Sequence, residues 1–402
     1  MVTLVRPSSK VCNDTPANVG PITIQWRGAD SARTPGVRAL ALTDAQIPDR
    51  YLTMSDADLD RRIESARRTL GSDLVILGHH YQRDEIIKHA DFRGDSFKLS
   101  QLAADRAAAK YIVFCGVHFM AESADILSSP SQQVILPNLE AGCSMANMAQ
   151  PDDVEQCWTE LTSMIDQPIV PVTYMNSAAS LKAFCGRNGG IVCTSSNAVG
   201  VLRWALERGK KVLFFPDQHL GRNTALRLGY RQDDMQIWTP RRALGGHEAA
   251  EIQATTFILW LGWCSVHARF STEQVRWVRE NYPGVRVLVH PECKREVVDL
   301  ADESGSTELI VKRVSESPPG SVWAIGTEIN LVSRLANENP DKTIVSLDPV
   351  ICPCSTMYRI HPSYLAWVLD ELVDGRVVNR IAVDPDTTRW ARVALERMLA
   401  IQ

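Results

Sequence analysis

The chain has 402 residues, 45% hydrophobic and 22% charged, the balance of a globular protein with room for two or three domains. A net charge of −4 at pH 7 without a run of lysine or arginine argues against a nucleic-acid groove. The longest apolar run, Phe257–Cys264, is less than half a membrane span, and no signal-peptide core opens the chain, so a cytoplasmic location with reduced thiols is expected.

Residues 1–50 carry proline, serine, threonine and asparagine without periodicity and read as an extension outside the core. "SDADLDRRIESARRTLG" then predicts a helix capped by Ser55 and stopped by Gly71. From there short apolar runs alternate with helical stretches, the pattern of βα units and parallel sheets. "DLVILGHHY" ends in His79, His80 and Tyr81, "YIVFCGVHFM" in a small polar turn, and "VILPNLEAGCSM" at Cys143. "PIVPVTYMNS" ends in Tyr174, Asn176 and Ser177, and "GGIVCTSSNAV" in another polar turn. After an insertion near 238–257, "FILWLGWCSVH" reaches Cys264. "VRVLVHPE" ends in His290 and Glu292, "VWAIGTEINL" in a turn, and "IVSLDPVICPCSTM" at Cys352 and Cys354.

A three-strand unit therefore recurs three times, as polar cluster, small polar turn and cysteine. The expected division is α/β units at 51–150, 151–270 and 271–360, with a C-terminal helical segment, 361–402, packing back on the core. Ligands of such sheets bind beyond the carboxyl ends of the strands. Three units around one axis would bring three polar clusters and three cysteines to one pocket.

Three thiolates from distant segments make a poor structural zinc site, which takes four ligands at close spacing. They suit a [4Fe–4S] cluster with one iron left open as a Lewis acid. Spacing alone leaves zinc and iron–sulfur both open, and with them a metal-sensing α/β protein as the non-enzyme alternative. Residues two apart in an extended segment share a face, so His79 with Tyr81 and His290 with Glu292 can point into one cavity. A pocketed Glu292 is expected to have a raised pKa and to shuttle protons. "GDSFKLS" (Asp95, Ser96), "CTSSNA" (Ser195, Ser196) and "SGSTEL" (Ser306, Thr307) lie where helices begin. Such places serve as anion sites or as ordinary N-caps.

"GHHYQRDEI", "GDSFKLSQ", "CGVHFMAESADIL", "PNLEAGCSMANM", "YMNSAA", "CTSSNAV", "FFPDQHLGRN", "CSVH", "HPEC" and "GST" occur in order between residues 78 and 307. Over residues 48–400 this resembles the quinolinate synthase family, in the longer Bacillus-type branch with C-x-C near the C-terminus. The resemblance implies three similar αβα domains with pseudo-threefold symmetry around a central active site. It implies condensation of iminoaspartate with dihydroxyacetone phosphate to quinolinate, releasing phosphate and two waters, in de novo NAD biosynthesis. It also implies a [4Fe–4S] cluster on Cys143, Cys264 and one cysteine of the 352/354 pair. The family's third ligand precedes a methionine by three residues, which selects Cys354 with Met357. Cys352 is then left to packing or to a redox disulfide with Cys354.

By the same resemblance His79, Ser96, Tyr174, Asn176, Ser195, His290, Glu292 and Thr307 bind substrate, and Tyr81, Glu292, His79 and His290 are catalytic. An aspartate-oxidising enzyme is the implied functional partner; no nucleic acid and no membrane is involved. His267, three residues after Cys264, strengthens the histidine set, whereas His80, His118 and His219 are open to packing or supporting roles. His89, His247 and His361 read as surface or structural. Cys115, Cys185 and Cys193 read as core, Cys12 and Cys157 as lone thiols without partners, and Cys293 as a neighbour of the pocket.

Overall fold

The computed structural model describes residues 47–105 and 109–401. The extension read over 1–50, with Cys12, lies outside the described residues except for its last few positions. The first helix of the core, Asp56–Leu70, begins where the Ser55 hydroxyl accepts the Asp58 N–H and ends at Gly71, whose φ is +52°, as the sequence predicts.

The strands form separate sheets. The first holds β1 (Leu74–His79), β2 (Phe92–Gly94), β3 (Tyr111–Cys115) and β4 (Gln133–Ile135). Its order is β2-β1-β3-β4, all parallel, and β14 (Arg380–Ile381) closes it antiparallel on β4. The second contains β5 (Ile169–Tyr174), β6 (Ile191–Cys193), β7 (Lys211–Phe215), β8 (Met235–Trp238) and β9 (Phe257–Trp260), in the parallel order β6-β5-β7-β9-β8. The third has β10 (Arg286–Val289), β11 (Glu303–Ser304), β12 (Val322–Gly326) and β13 (Thr343–Ser346), in the parallel order β11-β10-β12-β13. β1, β3, β5 and β7 are buried along their whole length, which is why they read as unbroken apolar runs rather than alternating ones.

The strand count per unit is a correction. "GGIVC" is not the counterpart of "YIVFC" and "VWAIG": β6 is an edge strand on β5, the place that β2 takes beside β1 and β11 beside β10. The strand in the position of β3 and β12 is β7. Each sheet thus shares a four-strand order rather than three strands. The edge strands are only two or three residues long, too short to leave an apolar period in the sequence. The segment read as an insertion forms the end of β8, a 3-10 turn at Ala243–Gly246 and the helix Ala249–Ala254. Lys211 ties that helix down by donating to the carbonyls of Ile252, Gln253 and Thr255.

The helix following the third strand of each four-strand set reaches the loop after the first strand of another sheet. From His118–Leu127, Ser123 Oγ meets Met175 Sδ at 3.4 Å and Glu122 accepts the Ala179 N–H at 3.0 Å. From Gln218–Arg227, Asn223 donates to the carbonyls of Pro291 (2.8 Å) and Cys293 (2.9 Å). From Ile329–Glu338, Asn330 donates to the Tyr81 carbonyl at 3.2 Å, and Arg334 binds the carbonyls of His80 (2.8 Å) and Gln82 and the Asp84 carboxylate at 2.7 Å. Three helices therefore brace three first-strand ends in a closed round.

The C-terminal helices lie on the first two sheets' helices. Pro362–Val373 packs on Asp56–Leu70, where Tyr51 Oη donates to Asp370 at 2.9 Å. Pro385–Leu399 packs on Ala179–Arg187 so closely that a Cβ at Gly186 would sit 1.9 Å from the Trp390 carbonyl oxygen.

Candidate active site

One cavity takes its walls from all three sheets. It is lined by His79 and Tyr81 after β1, Tyr174 and Asn176 after β5, His290 and Glu292 after β10, and by Cys143, Cys264 and Cys354. Ser96, Ser195 and Thr307 complete it, so every residue to which the resemblance gives a substrate, catalytic or cluster role lines the cavity, whereas Ser196, Ser306 and Cys352 do not. Val117, Phe119 and Met120 supply an apolar wall, and among the described residues the lining includes no lysine or arginine.

The three cysteines sit on like turns. Each is followed by serine, and each carbonyl accepts the N–H four residues on: Cys143 from Asn147 (3.2 Å), Cys264 from Ala268 (2.9 Å), Cys354 from Tyr358 (2.9 Å). A 3-10 turn begins three residues after each cysteine. Cys354 Sγ lies 3.3 Å from Thr356 Oγ1, and backbone N–H groups of each turn, at Met145 and Ala146, at His267, and at Thr356 and Met357, act to lower the thiol pKa values. Burial pushes all three thiols up, Cys143 to about 12, and each is raised further by neighbouring acidic groups. Cys352 is outside the lining and is followed by Pro353 rather than serine. The C-S dipeptide separates the two members of the pair in the sequence itself, a signal the motif reading passed over.

The histidines at the strand ends are held in one tautomer. Tyr81 N–H donates to His79 Nδ1 at 3.1 Å, and Glu292 N–H to His290 Nδ1 at 3.4 Å. Each ring therefore carries its proton on Nε2 when neutral. Burial drives both pKa values down, His290 to about 3 and His79 well below the usual range. They are neutral N–H donors at pH 7.

Glu292 corrects an expectation. Burial works to raise its pKa, but His290 and His267 beside it, with hydrogen bonds from His267 and Tyr174, hold it at about 2. Its Oε2 lies 2.8 Å from His267 Nδ1. His267 stacks on His290 with ring centroids 4.3 Å apart, and its Nε2 reaches Thr327 Oγ1 at 3.2 Å. Thr327 also bonds Tyr81 Oη at 2.7 Å, and Thr307 Oγ1 lies 3.4 Å from the same oxygen. Burial and the charge of Glu292 keep the Tyr81 phenol protonated, its pKa far above the ordinary value. Thr327 is the residue that sequence reasoning missed, since a threonine in "GTEI" is indistinguishable from a turn residue.

Asp95 caps the helix Ser96–Asp105 through the Lys98 N–H at 3.0 Å and accepts from Ser196 Oγ at 2.6 Å. Asp95, Ser96 and Ser195 line the cavity, whereas Ser196 stands behind them as the donor to Asp95. Ser306 is likewise a cap, accepting the Leu309 N–H, and Thr307 faces the cavity.

Other residues stand aside. His80 bonds Glu308 at 2.9 Å, His89 is buried between Glu64 (2.8 Å) and Asp60 (3.0 Å), and His118 pairs with Glu122 at 3.6 Å. His219 is bonded by Arg222, His247 meets the Ile237 carbonyl, and His361 caps Pro362–Val373. Cys115, Cys157, Cys185, Cys193 and Cys293 are buried outside the lining, and Cys352 and Cys354 are both free thiols.

Parallel sheets whose strand ends share a cavity of thiols, neutral imidazoles, a protonated phenol and a buried carboxylate define an α/β enzyme with metal-binding capacity. Cys264, His267 and Glu292 alone bring three ligand atoms within 4.8 Å of one another. The chain belongs to the quinolinate synthetase A protein family, whose model matches residues 61–400. It is 58% identical to the quinolinate synthase of Corynebacterium glutamicum over 93% of this chain and 95% of that one. Identity is 58% to the quinolinate synthase of Streptomyces coelicolor (86% and 89% covered) and 48% to that of Bacillus cereus (89% and 96% covered).

Proposed function

We propose that this chain is a quinolinate synthase, condensing iminoaspartate with dihydroxyacetone phosphate to quinolinate, with loss of phosphate and two waters, in NAD biosynthesis. The observation that carries the reading is the single cavity in which three alike cysteine turns face the His79/Tyr81, Tyr174/Asn176 and His290/Glu292 strand ends.

The cysteine turns suit a [4Fe–4S] cluster on Cys143, Cys264 and Cys354, because backbone N–H groups of each turn act to favour its thiolate, the environment that stabilises thiolate ligands. His267 Nδ1 is engaged by Glu292 and its Nε2 by Thr327, which leaves Cys264 as the free ligand of its local group. A cluster bound there supplies Lewis acidity for removing hydroxyl groups.

The protein's own groups bind and move protons. His79 and His290 present neutral Nε2–H donors, and the helix starts at Ser96 and Thr307, with Ser195, add hydroxyl and N–H donors. This donor set holds carboxylates and a phosphate without lysine or arginine in the lining. Tyr174 and Asn176 orient the substrate. The Tyr81 phenol is the proton donor to a departing hydroxyl, and the ionised Glu292 orients His267 and Tyr174 while its charge keeps Tyr81 protonated. Opposite environments for a phenol and a carboxylate set acid and anion apart in one site.

A pseudo-threefold arrangement of αβα domains is supported by the shared strand order and by the closed round of helix braces. The divisions at 51–150, 151–270 and 271–360 follow from it, with 361–402 returning to the first two. An aspartate-oxidising enzyme as source of iminoaspartate and a cytoplasmic location complete the reading; no described helix is long and apolar enough to cross a membrane.

The test is anaerobic reconstitution with iron and sulfide, followed by metal, sulfide and EPR analysis and a quinolinate assay on the same sample. About four irons and four sulfides per chain with quinolinate formed is the expected result. A reconstituted protein that makes no quinolinate from the two substrates sinks the reading.

A further inference from the structure

The helices after β7 and β12 begin on fully buried acids, Asp217 and Glu328, neither of which lines the cavity. An N-cap acid normally spends its oxygens on the first turn of its own helix. Glu328 does this with one oxygen only: Oε2 accepts the Asn330 N–H at 2.8 Å. Oε1 leaves the helix to accept the Cys354 N–H at 3.2 Å, and takes the Asn330 side-chain N–H at 2.9 Å. The same Asn330 amide donates to the Tyr81 carbonyl at 3.2 Å. A continuous hydrogen-bonded strut therefore runs from the Cys354 turn through Glu328 and Asn330 to the Tyr81 segment.

The second sheet has a related arrangement. Asp217 Oδ1 accepts the Leu220 N–H at 2.7 Å while its Oδ2 is buried without a hydrogen-bond partner, and Asn223 on its helix clamps Pro291 and Cys293 on either side of Glu292. In the first sheet the cap position is Val117, and the Cys143 segment is tied by the backbone bond from His118 N–H to the Ala141 carbonyl instead.

We propose that Glu328 and Asn330 are a positioning pair that holds the Cys354 turn in register with Tyr81, so that the metal centre and the phenolic proton donor keep a fixed separation. The proposal rests on the three-cysteine cluster reading above. Small errors of placement are costly in such sites, and Glu328 is fully buried, where a lost partner is not readily replaced by water.

The experiment compares wild type, Glu328→Ala, Glu328→Gln and Asn330→Ala after anaerobic reconstitution. It reads iron and sulfide content, the rate of iron loss to a chelator, kcat and KM, and the thermal midpoint. Glu328→Ala should load the cluster, lose iron about tenfold faster and lower kcat about tenfold or more with KM little changed. Glu328→Gln keeps one carbonyl acceptor for the Cys354 N–H and should restore iron retention to within about threefold of wild type. Asn330→Ala cuts the arm to Tyr81 and the side-chain bond to Glu328 Oε1 but leaves the Cys354 N–H on that oxygen, so it should hold iron normally and lower kcat about tenfold.

Wild-type iron retention and kcat in Glu328→Ala overturn the proposal. So does equally fast iron loss in Asn330→Ala, or in the remote variant Gly186→Ala when its thermal midpoint falls as far, because the effect would then be general loosening. Wild-type protein that binds no iron–sulfur cluster overturns the cluster reading itself, and the proposal with it.

Discussion

The cysteine turns and the first-strand ends sit around the same cavity, yet they diverge to different degrees. The turns share the C-S dipeptide, the bond from the N–H four residues on, and the 3-10 turn. The strand ends share only their position: His79 and His290 have the same tautomer lock, Tyr174 stands where a third histidine would, and Tyr81, Asn176 and Glu292 differ completely. Three equivalent ligands suit a symmetric metal group, whereas an unsymmetrical pair of substrates requires three different walls. Under the proposed function, the alike places would hold the cofactor and the unlike ones would recognise the reactants.

The largest effects should come from breaking the alike set. Cys143→Ala, Cys264→Ala and Cys354→Ala should each abolish cluster and activity, while Cys352→Ala keeps both; iron analysis and the product assay read this directly. Cluster loss in Cys352→Ala with retention in Cys354→Ala would reverse the assignment.

Next comes the unlike set, where activity should fall with the cluster intact. Glu292→Gln removes the charge that orients His267 and Tyr174, and should lower kcat about 100-fold with normal iron content. Should iron vanish instead, the metal lies on the Cys264/His267/Glu292 group and not on three cysteines. Tyr81→Phe deletes the phenolic proton while keeping the ring against His79, and a fall of about tenfold to 100-fold in kcat is expected. Unchanged kcat would remove Tyr81 from the proton path.

The smallest effects concern the scaffold beneath the strand ends. Asn223→Ala leaves the Pro291 and Cys293 carbonyls short of a buried donor and should cost about 1–3 kcal/mol in urea unfolding. Gly186→Ala forces the C-terminal helix, through its Trp390 carbonyl, away from Ala179–Arg187 and should cost about 1–3 kcal/mol with the cluster and kcat preserved. A Gly186→Ala protein as stable as wild type would mean the two helices separate freely, and the contact with the C-terminal segment is not a tight one.

Much of the site was legible because its signals are local. A strand that ends in His-x-Tyr or His-x-Glu shows which side chains share a face, and serine follows Cys354, the member of the 352/354 pair that lines the cavity. Helix ends were equally local, as at Ser55 and Gly71. What local sequence did not carry was the place of each strand in its sheet. β6 and β7 were misassigned because pairing partners are chosen by packing across the chain, and edge strands of two or three residues bury too little to leave a period.

The sequence by itself determined the α/β class and the strand ends at His79/Tyr81, Tyr174/Asn176 and His290/Glu292, since these follow from short-range pattern, while the remaining site residues came from the resemblance to the family. Tertiary structure alone decided the ionisation of Glu292, the place of Thr327 between Tyr81 and His267, and the strut from Cys354 to Tyr81. Each of these depends on partners tens to hundreds of residues away. A pKa is the sum of burial and every nearby charge, and a hydrogen bond exists only once the fold has brought donor and acceptor together.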